Sequence, residues 1–537
     1  QLEDTDDTFV QIGGEDSDFV EVLYLEADDE DEPMTVRVNT RLLGTDTDSA
    51  NVYDTDNVDT LVSGVHDETD IDNVNSDSTV IFEDDGNTGF DFSNYTNELV
   101  DANPTEQLTR PLQPTDYNIV AAADNNDDVG IFDLDTGEAN EELASKVLEL
   151  QQPTLGDITI HTAPEESAND ETDLEPLLEV VTQREEIAID DRMIVQVEAT
   201  GIYGALVAQA DGSTDANSAD FDVLEDGVST DVLYDLVENS NESIDFDIEA
   251  DETTGNQDPL KVDLEASDTN SYIVLDNEGG QFFVIVDTSS DSAFANGDAP
   301  DEDTEFTAEL EYDADDADDR MEFDSSYEPF SAEYVNYPYL AQGEVLSSTA
   351  TATLAPAEIN FENVNVDDVL EVENVEDAEI TGTTNVAPGS DASLRVSSTD
   401  ASTSFRNGQT VNISDDGTVS ATFDFSGQEV GDLFDTSFRV DGSDIDTVDS
   451  TVVEAGALSE DVPEEAEEES SEDESADEEP AEEEPAEDES AEDESTEDES
   501  TDEESTEETE EETPGFGAIV ALVAILGAAL LASRRQN

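Results

Sequence analysis

The chain has 537 residues, with 149 Asp and Glu against 13 Lys and Arg, a formal net charge of −136 and 35% hydrophobic residues. That apolar share supports packed cores, so the whole is not a disordered polyanion, and no window offers the basic stripe that a nucleic-acid partner would need to displace counterions. Cysteine is absent, which removes disulfides, thiolate metal sites and cysteine nucleophiles together.

The acids run through the first 450 or so residues as well as the tail, so an acidic tail alone does not account for them. Such self-repulsion opposes compaction at low salt, but the Debye length falls to about 3 Å at 1 M ionic strength. The bias is that of a protein folding in brine. The first residue is Gln1, with no charged n-region or apolar h-region after it; a cleaved signal peptide or a piece of a longer chain would both begin this way.

In chain order, the segments "DFVEVLYLEA" (18–27), "MTVRVNTRLL" (34–43), "DYNIVAAA" (116–123), "DITIHTA" (157–163), "RMIVQVEATG" (192–201), "QFFVIVD" (281–287) and "VSATFDFSG" (419–427) read as strands. They alternate or run β-branched and aromatic between Gly, Asn, Asp and Ser clusters. Apolar residues at three-to-four spacing predict short helices over 138–150, 174–186 and 229–240. The fold class expected is mainly β: tandem immunoglobulin-like β-sandwich domains with small helical insertions, a disordered acidic stalk and one C-terminal transmembrane helix.

The divisions expected are a β-rich surface domain over 1–156, a β-sandwich with short helices over 157–347 and an immunoglobulin-like sandwich over 348–456, with an acidic low-complexity spacer over 457–513 and a terminal segment over 514–537. Within the spacer a pentad, "AEEES SEDES ADEEP AEEEP AEDES AEDES TEDES TDEES", runs from Ala466 to Ser505. A period of five matches neither 3.6 nor 2, so it builds no apolar face and reads as a solvated, self-repelling stalk. After it, Gly515 to Ala532 are 18 residues without a charge. At 1.5 Å each they make a helix of about 27 Å, enough for the hydrocarbon core of a bilayer, with Arg534 and Arg535 as the inside flank.

Thr-Pro-Gly-Phe-Gly (513–517), one apolar helix and a pair of arginines together resemble the PGF-CTERM sorting signal of haloarchaeal surface proteins. The resemblance implies that an archaeosortase removes the helix near Pro514, Gly515 and Phe516 and that a prenyl-derived lipid anchor replaces it; an ordinary single-span anchor would use the same helix unprocessed. "LEVVTQREEIAIDDRMIVQVEATGIYG" (178–204) is similar to a segment of haloarchaeal S-layer glycoproteins and their BGTF-domain surface relatives, where a "TxRDxIAxGD" turn precedes a strand ending in "VEASGI". Here Glu185 and Glu186 stand where that pattern favours Asp and Glu, and Asp190-Asp191 replaces Gly-Asp. The unit over 348–456 also looks like the membrane-proximal sandwich of that family. The chain has fewer sandwiches than the lattice subunits of that family generally carry.

No HExxH, GxSxG, P-loop or zinc pattern occurs. His66 in "SGVHDETD" and His161 in "DITIHTA" have no recognisable catalytic partners. No cofactor is required. Asp133 and Asp135, with Gly137, fall in a D-x-D-x-G spacing that lets alternate carboxylates converge on calcium or another divalent cation, though a turn lined with surface acids has the same pattern. Asn94 (NYT), Asn241 (NES) and Asn412 (NIS) are N-glycan acceptors in turn-like contexts if the chain is exported. The function expected is a non-enzymatic structural cell-surface (S-layer type) glycoprotein of a halophilic archaeon, lipid-anchored and associating laterally with like or related subunits. The alternative is a surface-anchored adhesin or solute-binding protein on the same anchor.

Overall fold

The structure, a computed structural model, describes residues 7–458 except for short internal stretches, of which 314–344 is the longest. It is mainly β, with few helices. The first part is built on a five-stranded antiparallel sheet in the order Glu142–Glu149, Asp116–Ala122, Asp7–Gly14, Phe19–Ala27 and Val58–Ser63. Phe19 to Leu25 are buried without interruption because both faces of that strand are covered. Phe9, Val20, Val22 and Tyr24 meet the helix Phe92–Val100 on one side, while Leu23 and Leu25 meet Leu43, Val52 and Leu112 on the other.

Two sequence expectations fail here. The helix expected over 138–150 is a strand, Glu142–Glu149, paired with Asp116–Ala122. Leu148 and Leu150 are buried, but Leu143 and Val147, which the helical spacing had grouped with them, are half exposed. Pairing with the open edge of an existing sheet overrides the local helix preference of "EELASKVLEL", since intrinsic propensity is small beside tertiary context. The strand read over 34–43 stops at Val38, and the chain turns so that the Asn39 amide donates to the Val52 carbonyl.

The middle part packs a six-stranded sheet against a four-stranded one. The first runs Thr182–Gln183, Leu155–Ala163, Arg192–Ala199, Gln281–Asp287, Tyr272–Asp276 and Val228–Ser229; the second runs Glu186–Ala188, Val345–Ala355, Thr304–Asp313 and Ile244–Ala250. Val195, Val197, Phe282, Val284, Phe306 and Leu310 share one core with the helix Tyr203–Gln209 and the helix Thr230–Asn239. The helix expected over 174–186 covers only Leu174–Val180, seating Leu177 on Ile194, Phe283 and Ile285. Thr182–Gln183 and Glu186–Ala188 then become strands, each completing a different sheet edge. Val345–Ala355 contains position 347 and pairs with Thr304–Asp313 from end to end.

The last part is a two-sheet sandwich. Ile359–Phe361, Ala378–Thr384 and Thr418–Phe423 face Leu370–Glu373, Ser443–Val453, Leu433–Val440, Ala392–Asp400 and Arg406–Val411. Alternation along Ala392–Asp400 puts Leu394 and Val396 inside with Phe423, Phe425, Phe434 and Phe438.

Candidate functional site

The segment that carries the family resemblance, residues 182–192, forms the joint between the middle and last parts. Glu186–Ala188 runs parallel to Val345–Ala355, with Ile187 opposite Leu354 and Ala188 opposite Ala355. Neighbouring side chains in a strand point opposite ways. Ile187 is accordingly buried in the middle core and Ala188 in the last.

Two polar groups lock this seam. The Arg184 guanidinium reaches into the sandwich, where Nη1 donates to the Thr384 carbonyl at 2.9 Å and Nη2 to the Asp415 carbonyl at 3.2 Å. Gly417 makes room for it: its φ is +82°, and a Cβ there would come 3.2 Å from Nη2 and 2.3 Å from the Thr384 oxygen. On the other flank Asp191, 7% exposed, accepts the Ala387 amide on Oδ2 at 2.7 Å. Burial pushes the Asp191 carboxyl up to about 7; the Ala387 amide and Arg184 pull it down, while Asp190 and Asp441 push it further up. Asp190 has φ +89°, so the turn demands the left-handed backbone that the family pattern meets with glycine. Next in the chain Arg192, 1% exposed, donates through Nη1 to Asp287 at 2.7 Å across the sheet. The sequence marked this segment as a resemblance but assigned none of these roles; the only local signal was an arginine and an acid pair flanking an apolar triplet.

The other candidate residues are scattered. Asp133 Oδ1 is engaged by the Thr136 amide and hydroxyl, both at 2.9 Å, and Asp135 is exposed beside it. Among the described residues no group of three acids or histidines could hold a metal. Buried Glu21 accepts the Val22 and Gly64 amides at 2.8 and 2.9 Å, the Ser63 hydroxyl at 2.5 Å and the Tyr53 hydroxyl at 3.1 Å. Burial raises its pKa, and nearby His66 and these hydrogen bonds lower it. Both nitrogens of His66 face carbonyl oxygens, of Thr47 at 3.0 Å and Leu43 at 2.9 Å. The Ser63–His66 neighbourhood is therefore a structural cluster, since no ring nitrogen is turned to the hydroxyl. His161 Nε2 meets Gln196 Oε1 at 2.7 Å, and burial lowers its pKa.

Of the glycan acceptors, Asn412 is exposed in the loop after Arg406–Val411. Asn94 corrects the expectation of a turn: it lies in the first turn of the helix Phe92–Val100, where its Oδ1 accepts the Asp91 amide at 3.2 Å and its own amide donates to Asp91 at 2.8 Å. Thr96 of the same sequon is fully buried. Asn241 lies outside the described residues, as do Pro514, Gly515, Phe516, Arg534 and Arg535 with the spacer and terminal helix. Among the described residues no helix is long and apolar enough to cross a membrane. A transferase needs the acceptor Asn and its hydroxyl partner accessible together. Peptide mass spectrometry of the native chain is expected to find glycan on Asn412 and none on Asn94; occupied Asn94 with bare Asn412 would reverse this reading.

Residues 513–535 match the family described as PGF-CTERM motif. Over 419 residues, 76% of this chain, the sequence is 31% identical to the cell surface glycoprotein of Haloferax gibbonsii, of which it covers 42%. Over 477 residues, 87% of this chain, it is 25% identical to cell surface glycoprotein 1 of Haloarcula hispanica, of which it covers 44%. It is 23% identical over 474 residues to cell surface glycoprotein 2 of the same organism, with the same coverage. The chain thus spans about two fifths of the length of the relatives it matches. Among solved structures, the chicken CNTN1 FN1–FN3 domains align with 64% of this chain and 80% of their own at 9% identity and a TM-score of 0.18, a likeness too slight to argue from. Homologues of the chain are haloarchaeal cell surface glycoproteins, and the chain itself ends in a PGF-CTERM motif. It is a cell-surface protein anchored at the membrane.

Proposed function

We propose that the chain is a structural, non-enzymatic surface glycoprotein of S-layer type, whose immunoglobulin-like sandwiches stand on the acidic stalk and associate laterally. The observation that carries this is the PGF-CTERM motif at 513–535, behind an acidic stalk and β units of which the middle and last are joined by the Arg184 and Asp191 contacts. Archaeosortase would cut near Pro514 to Phe516, and lipid would replace the helix. One lipid chain binds a membrane only marginally, so a polyanion would need two chains or neighbours in an array to stay at the surface.

C-terminal peptide mapping of membrane-extracted chain tests the processing. The expected result is loss of every peptide containing Arg534 and Arg535, with a hydrophobic mass on a peptide from the "TEETEEET" region. Stoichiometric recovery of the arginine-containing peptides would leave an ordinary single-span anchor, which the same 18 uncharged residues supply.

A further inference from the structure

Cations are scarce in this chain, and most of those described are committed. Arg37 pairs with Asp54 and Glu225, Arg41 with Glu242, Arg192 with Asp287, and Lys261 with Asp247 and Glu249. Arg395 and Arg406, like the exposed Lys146 on the first sheet, enter no ion pair or side-chain hydrogen bond among the described residues, and the two arginines lie together. They sit on adjacent strands of the last sandwich, with Arg395 opposite Gly408 and Arg406 opposite Ser397. Arg439, opposite Ser393 on the next strand and paired with Asp444 at 2.7 Å, extends the row diagonally. All three stand on the solvent face, opposite the buried Leu394 and Val396. The Arg395 side chain lies beside Gly408, whose missing Cβ would stand 3.9 Å from its Nε. Serines fill the gaps between the arginines, and Asp435 opposite Asp449 bounds the face at one end.

We infer that this arginine face is a docking surface for a carboxylate-bearing sheet face on a second copy of the chain; the inference rests on the lateral association proposed above. The chain itself carries the complement. On the outer face of the middle part, Asp245 stands opposite Glu311, and Asp247, which has Lys261 at 3.4 Å, stands opposite Glu309, which lacks a cation of its own among the described residues. Opposed side chains on paired strands lie about 5 Å apart, where like charges repel. Arg395 and Arg406, on strands spaced about 4.8 Å like those of the acidic face, can each relieve one such pair. In brine only contact pairs survive screening, and guanidinium suits them because it is weakly hydrated and bidentate. The two faces are different patches, so the contact is head-to-tail and propagates from copy to copy, as an envelope array requires.

The absence of native cysteine permits a direct test on the full chain in envelopes. Chains carrying Ser397→Cys and chains carrying Thr349→Cys, which lies opposite Glu309, are expressed together and oxidised. A disulfide-linked heterodimer is expected. Arg395→Glu with Arg406→Glu should remove it, and Glu309→Arg with Glu311→Arg in the partner should restore it, with circular dichroism in molar salt showing that each variant is folded. No heterodimer from wild-type faces while electron microscopy still shows associated chains overturns the docking face and leaves lateral association standing. No associated chains at all overturns both. An unchanged heterodimer in the Arg→Glu variant, with lost binding to anionic vesicles or acidic polysaccharide, also overturns it in favour of those ligands.

Discussion

Dialysis of the chain from about 1 M to about 0.1 M salt is expected to unfold its β cores, as the Debye length grows from about 3 Å to about 10 Å. The reason is local as well as global. Beyond a net charge of −136, carboxylates face each other across paired strands: Asp245 and Glu311, Asp247 and Glu309, Asp435 and Asp449. Of these only Asp247 has a lysine within ion-pair distance. Each directly opposed pair costs roughly 0.2–1 kcal/mol when unscreened, against a total stability of about 5–15 kcal/mol for an ordinary domain. Glu311 shows the strain: burial raises its pKa, and Asp313, Glu309 and Asp245 raise it further. Circular dichroism and limited proteolysis along the dialysis check this. Unchanged sheet signal and protease resistance at the low end would defeat the brine reading, whereas Glu309→Gln with Glu311→Gln should move the unfolding midpoint to lower salt.

What could be read in advance follows the physics of burial. Strands buried on one or both faces, such as Phe19–Ala27, Arg192–Ala199 and Gln281–Asp287, announce themselves by apolar content. Glu142–Glu149 did not, because an edge strand is held by its neighbour's backbone and its side chains need not alternate in burial. Asn94 was misjudged for a related reason: Asp91 and Asn94 cap a helix with the residue types that also make turns. The joint was legible only as a resemblance. Arg184 and Asp191 act on carbonyls and an amide about 200 residues away, and no local periodicity encodes a partner at that distance.

The joint should also respond to pH through Asp191. Its carboxyl rises from 3.8 to about 7 on folding, chiefly because burial disfavours the charge. A raised folded-state value means that the folded joint holds the proton more tightly than the unfolded chain. The stabilisation is fully present below about pH 4, declines as pH climbs, and is gone above about 7. At 1.36 kcal/mol per pH unit, the ceiling on this contribution is about 4 kcal/mol. Asp191→Asn keeps an oxygen for the Ala387 amide and carries no charge, so it should hold the acid-form stability up to pH 8 and flatten the profile between 4 and 7. Arg184→Ala should act in the opposite sense at every pH, losing roughly 1–3 kcal/mol as the Thr384 and Asp415 carbonyls lose their donor. Denaturant melts of the three chains in molar salt, where the other carboxylates are screened, read the difference directly. A pH profile for Asp191→Asn that follows the wild type would show that the Asp191 carboxylate is ionised at no cost, and that the seam is held by Ile187 and Ala188 in their two cores rather than tuned by its charge.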